Sequence, residues 1–343
     1  MNLLEGVLLM NDVVVLAIET SCDETSVAIV KNGREILANK IYSQIDIHNE
    51  FGGVVPEVAS RKHLEVINVI VHEALKEANM NLEDIDLMAA TYGPGLVGAL
   101  LVGLQYVKGL SYALNKPFVG VNHIEGHISS CFLEHKDLVP PFLSLIISGG
   151  HTMILNVVDY GVYEKIAETR DDAIGEVFDK IARKLNLSYP GGPNIERLAR
   201  DGNENAINFP KSRFEDDTLD FSYSGIKSSV LNYINQNKLK NLDLNVEDIC
   251  ASFQKVAVDM LIENVEKSFL VYEADKLSIV GGVSANGYIK NRFIEYFKDV
   301  QIYFPSKILS TDNAAMIGSA AYYSYIKNGK SDYTLNVSPN IKF

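Results

Sequence analysis

Two histidines four residues apart, in His123-Ile124-Glu125-Gly126-His127, are the first residues of this chain that could do chemistry. On a helix, positions i and i+4 share a face, so both imidazoles could ligate one metal ion. The glutamate stands third rather than second, so this is not the HExxH arrangement of a zinc protease. A bare HxxxH pair is commoner in cores and on surfaces than as a ligand pair, and a third ligand must come from elsewhere. Asp312, in Ser310-Thr311-Asp312-Asn313 at the predicted start of the last helix, is one candidate. Its alternative role there is helix capping.

Glycine turns form a second group. In Ser148-Gly149-Gly150-His151-Thr152 two glycines follow a predicted strand, where a backbone without Cβ atoms can approach an anion closely. The same pair also makes an ordinary hairpin turn. Val280-Gly281-Gly282-Val283-Ser284-Ala285-Asn286 is similar but leads into a predicted helix, whose N-terminal N–H groups favour phosphate or ribose. Carboxylates form the third group: Glu19, Asp23 and Glu24 in the first turn, and Asp171, Asp172, Glu176 and Asp179 later. Asp172, Glu176 and Asp179 are spaced i, i+4, i+7 and so share a predicted helical face. That face is either solvated and matched to the helix dipole, or it holds a ribose, a metal or a proton.

These groups sit on a repeated order of elements. β-branched runs predict strands over 13–19, 26–30 and 35–43, with Asn32-Gly33 as the hairpin turn. Pro56 opens an amphipathic helix to about residue 78, with Val58, Leu64, Ile67, Ile70 and Leu75 near its apolar face. A strand over 87–92, a helix over 96–114, a strand over 118–121 and a helix over 123–133 follow. The second half predicts strands over 142–148, 151–157 and 163–168, then a helix over 173–185. A loop-rich stretch opens at Tyr189-Pro190-Gly191-Gly192-Pro193 and runs to about residue 220. Helices over 225–235 and 246–272, a strand over 277–280, a helix from 284, a short strand over 301–304 and a helix over 311–326 complete the pattern. The order β-β-β-α-β-α-β-α thus occurs twice. Two such halves facing each other would line a cleft with backbone N–H groups, the layout of a nucleotide-phosphate site.

Bulk properties narrow the class. A chain of 343 residues exceeds one ordinary core and predicts two lobes. Hydrophobic residues at 47% and charged residues at 22% are ordinary for a globular soluble protein, so disorder is not the default reading. The net charge of −13 means that this chain cannot coat nucleic acid alone, so a local basic patch or a partner must supply phosphate contacts. Cys22, Cys131 and Cys250 are odd in number and widely spaced, which argues against a disulfide framework and for a reducing cytosol. Cys22 has acidic neighbours and reads as structural rather than nucleophilic. No stretch reaches about 18 uninterrupted apolar residues, so no membrane span is expected. The start MNLLEGVLLMND lacks a basic n-region, and residues 1–9 read as an upstream extension or an ordered cap.

The chain resembles the TsaD family of tRNA threonylcarbamoyltransferases, once called glycoproteases, along nearly its whole length. The first half carries Ile18-Glu19-Thr20-Ser21-Cys22-Asp23-Glu24-Thr25-Ser26, Ser43-Gln44-Ile45-Asp46-Ile47-His48, Phe51-Gly52-Gly53-Val54-Val55-Pro56-Glu57 and Ser60-Arg61-Lys62-His63. Tyr92-Gly93-Pro94-Gly95-Leu96 and the Asn122–His127 motif follow. The second half carries the Ser148–Thr152 turn, Asp171-Asp172-Ala173-Ile174-Gly175-Glu176-Val177-Phe178-Asp179-Lys180, the Tyr189–Pro193 motif, Phe221-Ser222-Tyr223-Ser224-Gly225, Gly281–Asn286 and Thr311-Asp312-Asn313-Ala314-Ala315. Ser310, where the family often has Cys, is one departure, and it touches no role assigned here.

The resemblance implies an α/β protein of two actin-like ATPase (ASKHA, RNase H-like) lobes with an interlobe cleft: residues 12–135, residues 140–327 with an insertion over about 189–245, and a tail over 328–343. It implies that His123, His127 and Asp312 hold one divalent metal ion per subunit, iron foremost, with zinc or magnesium as alternatives. Ile146, Ile147, Ser148, Gly149 and Gly150 would hold the adenylate of the donor, threonylcarbamoyl-AMP. Asp179, Gly192, Glu196 and Asn286 would hold its ribose and base. The acceptor would be N6 of the adenosine 3′ of the anticodon in tRNAs reading codons that begin with adenine, with AMP released. Asp23 or Glu24 is the candidate acceptor of the amine proton. The implied partners are tRNA, a TsaB-like subunit docking on residues 57–76 and 96–114, and a TsaE-like ATPase, in the cytoplasm. An actin-like ATPase or sugar kinase would share the fold but needs no His pair. A metalloprotease lacks its glutamate, and a pure scaffold would show no turnover.

Overall fold

The structure, a computed structural model, describes residues 12–212, 214 and 218–343, so residues 1–9 lie outside the described residues. The chain divides into two compact units. The first holds, among the described residues, 12–46, 54–137 and 312–343; the second holds 47–53 and 138–311.

In the first unit β1 (Val14–Glu19), β2 (Glu24–Lys31), β3 (Glu35–Ser43), β4 (Leu87–Gly93) and β5 (Phe118–Asn122) form one sheet in the order β3-β2-β1-β4-β5. β1 pairs antiparallel with β2 and parallel with β4, and β4 pairs parallel with β5. Between the paired residues Lys31 and Glu35, Asn32 and Gly33 are both at positive φ, 53° and 67°, and Arg34 N donates to Lys31 O at 3.1 Å, a turn that suits the twist of a tight hairpin. Three helices follow the strands: α1 (Pro56–Ala78), α2 (Val97–Leu114) and α3 (His123–Glu134). α1 starts on a proline, and α1 and α2 each end on an asparagine in the left-handed conformation, Asn79 and Asn115. Alternate residues of the central strands, Leu16, Ile18, Val27 and Ile29, pack with Ile67, Ile70 and Val71 of α1 and with Leu104 and Val107 of α2.

The buried stripe of α1 runs through Ala59, His63, Ile67, Ile70 and Ala74. The apolar face expected from sequence included Leu64, which instead points outward and is 66% exposed. α2 has a mean hydropathy of 1.3 over 18 residues, long and apolar enough by length and composition alone to cross a membrane. In the structure its Ala99, Leu100, Gly103, Leu104 and Val107 are buried within the first unit.

The second unit repeats the arrangement. β6 (Phe142–Ile147), β7 (Thr152–Asp159), β8 (Val162–Glu168), β9 (Lys276–Val280) and β10 (Gln301–Tyr303) form a sheet in the order β10-β9-β6-β7-β8. Its pairing senses match the first sheet: β6 is antiparallel to β7 and parallel to β9, and β9 is parallel to β10. Helices α4 (Ile174–Lys184), α5 (Gly191–Ala199), α6 (Ser224–Leu239), α7 (Val246–Val271) and α8 (Gly287–Tyr296) belong to this unit. Leu143, Leu145 and Ile147 of β6 share a core with Ile174, Val177 and Phe178 of α4 and with Phe253, Ala257 and Leu261 of α7.

Two expectations are corrected. Residues 191–199 are a helix rather than loop. The Gly191 N–H is taken by Asp179, and Pro193 falls in the first turn, where its missing donor costs no helical hydrogen bond. The last helix, α9 (Ala314–Asn328), belongs to the first unit rather than to a second lobe ending at residue 327. Gly318 lets it lie close: a Cβ there would stand 2.8 Å from Val30 Cγ2 and 3.4 Å from Ala17 Cβ.

Candidate metal centre and donor site

Asn122 starts α3 by accepting a hydrogen bond from Ile124 N at 2.8 Å, so the helix begins on His123 and carries His127 one turn later. Their ring centroids are 4.6 Å apart. Gly126 allows α9 to approach, since a Cβ there would lie 2.7 Å from Ile317 Cδ1. That contact brings Asp312, just before α9, to the two imidazoles. Asn313 caps α9 by accepting from Met316 N at 3.1 Å, so capping is not the role of Asp312.

The Nε2 atoms of His123 and His127 are each 3.5 Å from Asp312 Oδ1. One ligand atom from each of the three residues falls within 4.8 Å of the others. Bonds of about 2.1 Å in a tetrahedral shell put neighbouring ligand atoms about 3.4 Å apart. The trio therefore fits one divalent ion.

Glu19, fully buried at the end of β1, stands behind this trio. The Nδ1–H of His123 donates to Glu19 Oε2 at 3.2 Å, which leaves Nε2 available to a metal. Glu19 also accepts from Ser21 N at 2.5 Å and from the Thr91 hydroxyl. Burial opposes the ionised Glu19, but facing His123 and these hydrogen bonds hold its carboxyl below the usual range. Burial likewise opposes a charged His123, yet Asp312 and Glu19 raise it well above the usual value. A metal must displace that proton. In the sequence Glu19 is one acid among several, because its role depends on burial that composition does not reveal.

Asp23 is buried and Glu24 half-buried in the adjoining turn. Burial first, then the carboxylates of Asp312 and Asp23, push Glu24 up to about 9. Ser43 Oγ donates to Glu24 Oε1 at 3.2 Å. A cation beside Asp312 would cancel that repulsion and return Glu24 towards the carboxylate form. Burial and the same acids push the Cys22 thiol far up, so it is no thiolate, as its neighbours suggested.

The positions expected to hold the donor all belong to the second unit. Ile146 and Ile147 end β6, and the turn after them closes with Ser148 N donating to His151 O at 2.9 Å. Gly149 and Gly150 are exposed, and a Cβ on either would meet nothing within 4 Å. Gly281, at φ 91°, abuts Ile147 O, where a Cβ would lie 2.5 Å away, and Gly175 abuts Ser148 O at 2.6 Å in the same sense. Asp179 Oδ1 accepts from Gly191 N at 2.7 Å, beside Gly192. Glu196 Oε1 accepts from Gly287 N at 3.1 Å, and Asn286 Nδ2 donates to Gln254 Oε1 at 3.0 Å. Burial raises the Asp179 carboxyl despite the Gly191 N–H. The acidic face expected on α4 is broken up. Asp172 precedes the helix and pairs with Lys180 at 2.9 Å and with Lys227, while Glu176 pairs with Lys180 at 2.8 Å.

Fold and site define an α/β protein of the actin-like ATPase type with a His–His–Asp centre. Two solved structures share the fold. Full-length HypF aligns with a TM-score of 0.61 and 15% identity, covering 93% of this chain and 56% of that one. The Acidaminococcus fermentans (R)-2-hydroxyglutaryl-CoA dehydratase component A aligns at 0.54 and 15%, covering 92% and 100%. Residues 35–319 match the TsaD family, described as tRNA N6-adenosine threonylcarbamoyltransferase. A protein of that name from Clostridium perfringens (strain 13) is 58% identical over 335 residues, 97% of this chain and 99% of its own length. One from Clostridium novyi (strain NT) is 57% identical over 334 residues, covering 96% and 98%. The chain belongs to the TsaD family. Its reaction is transfer of a threonylcarbamoyl group to N6 of an adenosine in tRNA, not phosphoryl transfer by a sugar kinase.

Proposed function

We propose that the donor is threonylcarbamoyl-AMP and that the acceptor is the adenosine 3′ of the anticodon in tRNAs reading codons that begin with adenine. The N6 amine attacks the carbamoyl carbon, the bond from that carbon to the AMP phosphate oxygen breaks, AMP leaves with the electron pair, and the amine proton passes to a carboxylate. Because the leaving group is already good, the protein's work is to position, shield and stabilise charge. Anticodon-loop bases are single-stranded and can splay out to reach such a site.

The observation that carries this reading is the pair of Nε2 atoms 3.5 Å from a single Asp312 oxygen. A divalent ion held by His123, His127 and Asp312, with iron first and zinc or magnesium as alternatives, would supply a grip on the threonyl carboxylate and hydroxyl. Gly149 and Gly150 expose N–H groups to the donor phosphate, following Ile146, Ile147 and Ser148. Asp179, Gly192, Glu196 and Asn286 orient its ribose and base. Asp23 or Glu24 accepts the amine proton.

The net charge of −13 supports a division of labour in which partners help to hold tRNA. A TsaB-like subunit would dock on α1 and α2, where Leu64, Val97, Leu101 and Tyr112 are exposed. A TsaE-like ATPase would complete the cytoplasmic system. The test is reconstituted transfer from threonylcarbamoyl-AMP to unmodified tRNA with both partners, read by nucleoside mass spectrometry. Threonylcarbamoyladenosine formed together with stoichiometric AMP supports the donor, and product without AMP release would overturn it.

A further inference from the structure

His63 lies fully buried in the inward stripe of α1, between Ala59 and Ile67. Away from water an imidazole needs partners for both ring nitrogens. Here the partners are Cys22 in the bend after β1, Thr25 in β2 and Gln44 just after β3. Nε2 lies 3.0 Å from the carbonyl oxygen of Cys22. That oxygen can only accept, so Nε2 carries the hydrogen. Nδ1 lies 2.7 Å from Thr25 Oγ1 and 3.4 Å from Gln44 Nε2. The amide nitrogen can only donate, so Nδ1 is the acceptor and the Thr25 hydroxyl donates to it. One neutral imidazole, protonated on Nε2, satisfies all three neighbours. Gln44 adds a second tie, its backbone N donating to Asp23 O at 3.0 Å.

The ties from His63 fall on Cys22 and Thr25 and that from Gln44 on Asp23, bracketing the carboxylates of Asp23, in the bend, and Glu24, the first residue of β2. Residues 21–23 have no regular structure of their own. Their conformation is therefore set by partners outside the bend: Leu96 N donates to Ser21 O at 2.8 Å, His63 of α1 holds Cys22 O, and Gln44 N holds Asp23 O. We propose that His63 is a positioning residue for threonylcarbamoyl transfer, holding the Cys22–Thr25 turn so that Asp23 and Glu24 stand where the amine proton is released. This rests on the reading of those carboxylates as proton acceptors. It also makes α1 two-sided: one face sets the turn, and the next residue, Leu64, is exposed on the other.

The test is single-turnover transfer by the full chain with its partners, at saturating tRNA and donor, for His63→Ala, His63→Gln and Thr25→Val. The expected result is a loss of about 10- to 100-fold in rate for His63→Ala, the scale of a small misplacement of reacting groups. His63→Gln, which keeps an amide able to donate to Cys22 O, recovers part of it. Half-saturation by tRNA and donor and the bound metal stay at wild-type levels, which a general loosening would not allow. The His63→Ala/Thr25→Val double variant is no slower than His63→Ala alone, because both remove one contact. Folded His63→Ala at the wild-type rate, or a loss seen only in half-saturation or metal content, would overturn the proposal. Should His63→Ala not fold, Thr25→Val decides alone, since it removes one hydrogen bond at nearly constant volume. Asp23→Asn and Glu24→Gln are measured in parallel. Wild-type rates for both would overturn the proton-acceptor reading, while a rate loss confined to the His63 and Thr25 variants would still assign the turn to His63.

Discussion

The Nδ1 of His123 lies 3.2 Å from Oε2 of Glu19, a fully buried carboxylate that turns the other ring nitrogen towards Asp312. Outer partners of this kind commonly tune metal affinity by about 10- to 100-fold. Glu19→Gln should therefore bind its metal more weakly by that order, measured by competition with a chelator, while remaining folded. Affinity equal to wild type would remove Glu19 from the centre.

The glycines around the second-unit turn should separate into two kinds. Gly175→Ala forces a Cβ to 2.6 Å from Ser148 O and should cost about 1–3 kcal/mol in stability, seen as a lower Tm. Gly149→Ala meets nothing within 4 Å in the protein and should leave Tm unchanged. It should instead weaken donor binding, because the new methyl group occupies space assigned to the adenylate. A Gly149→Ala protein with normal donor affinity would move the phosphate elsewhere.

Acid should loosen the second unit through Asp171 and Asp172. Burial raises both carboxyls, but hydrogen bonds to Asp171 from Ser222 Oγ and the Tyr223 and Ser224 backbone, and to Asp172 from Lys180 and Lys227, win and hold both below the usual range. A depressed folded value contributes stability above the unfolded value of about 3.9 and loses it as pH falls through the folded one. The loss should thus appear below about pH 4. Asp171→Asn should cost about 1 kcal/mol at pH 7 and flatten the acid limb of a denaturation profile. An unchanged acid limb would show that these groups do not report on folding.

Much of this was legible in sequence, for local reasons. β-branched runs, Asn32-Gly33 and the capping asparagines mark the strands, the hairpin and the helix ends, and the doubled order of elements survives as two sheets of the same order and sense. What escaped was spatial. Chain order cannot show that α9 packs with the first unit, where the small residue Gly318 meets Val30. Pro190 and Pro193 disguise the helix over 191–199 as loop. On α1 the apolar Leu64 drew attention from His63, although the polar side chain is the buried one. The trio of His123, His127 and Asp312 became persuasive only through family resemblance, since 185 positions separate His127 from Asp312 in the chain.

The exposed apolar residues of α1 and α2 should matter to assembly and not to folding. Leu64→Asp with Leu101→Asp removes apolar surface from this face while leaving the buried stripe intact. Binding to a TsaB-like subunit, followed by calorimetry, should weaken at least 10-fold with Tm within a few degrees of wild type. Undiminished binding would place the interface elsewhere.

The most direct test of the central claim is transfer itself. The metal-loaded chain, the proposed TsaB-like and TsaE-like partners, the proposed donor threonylcarbamoyl-AMP and unmodified tRNA are combined, beside the same mixture with His123→Ala, and nucleosides are read by mass spectrometry. The account predicts threonylcarbamoyladenosine from the wild type and a loss of at least about 100-fold in the variant, together with loss of bound metal. Equal product from a metal-free His123→Ala protein would contradict it.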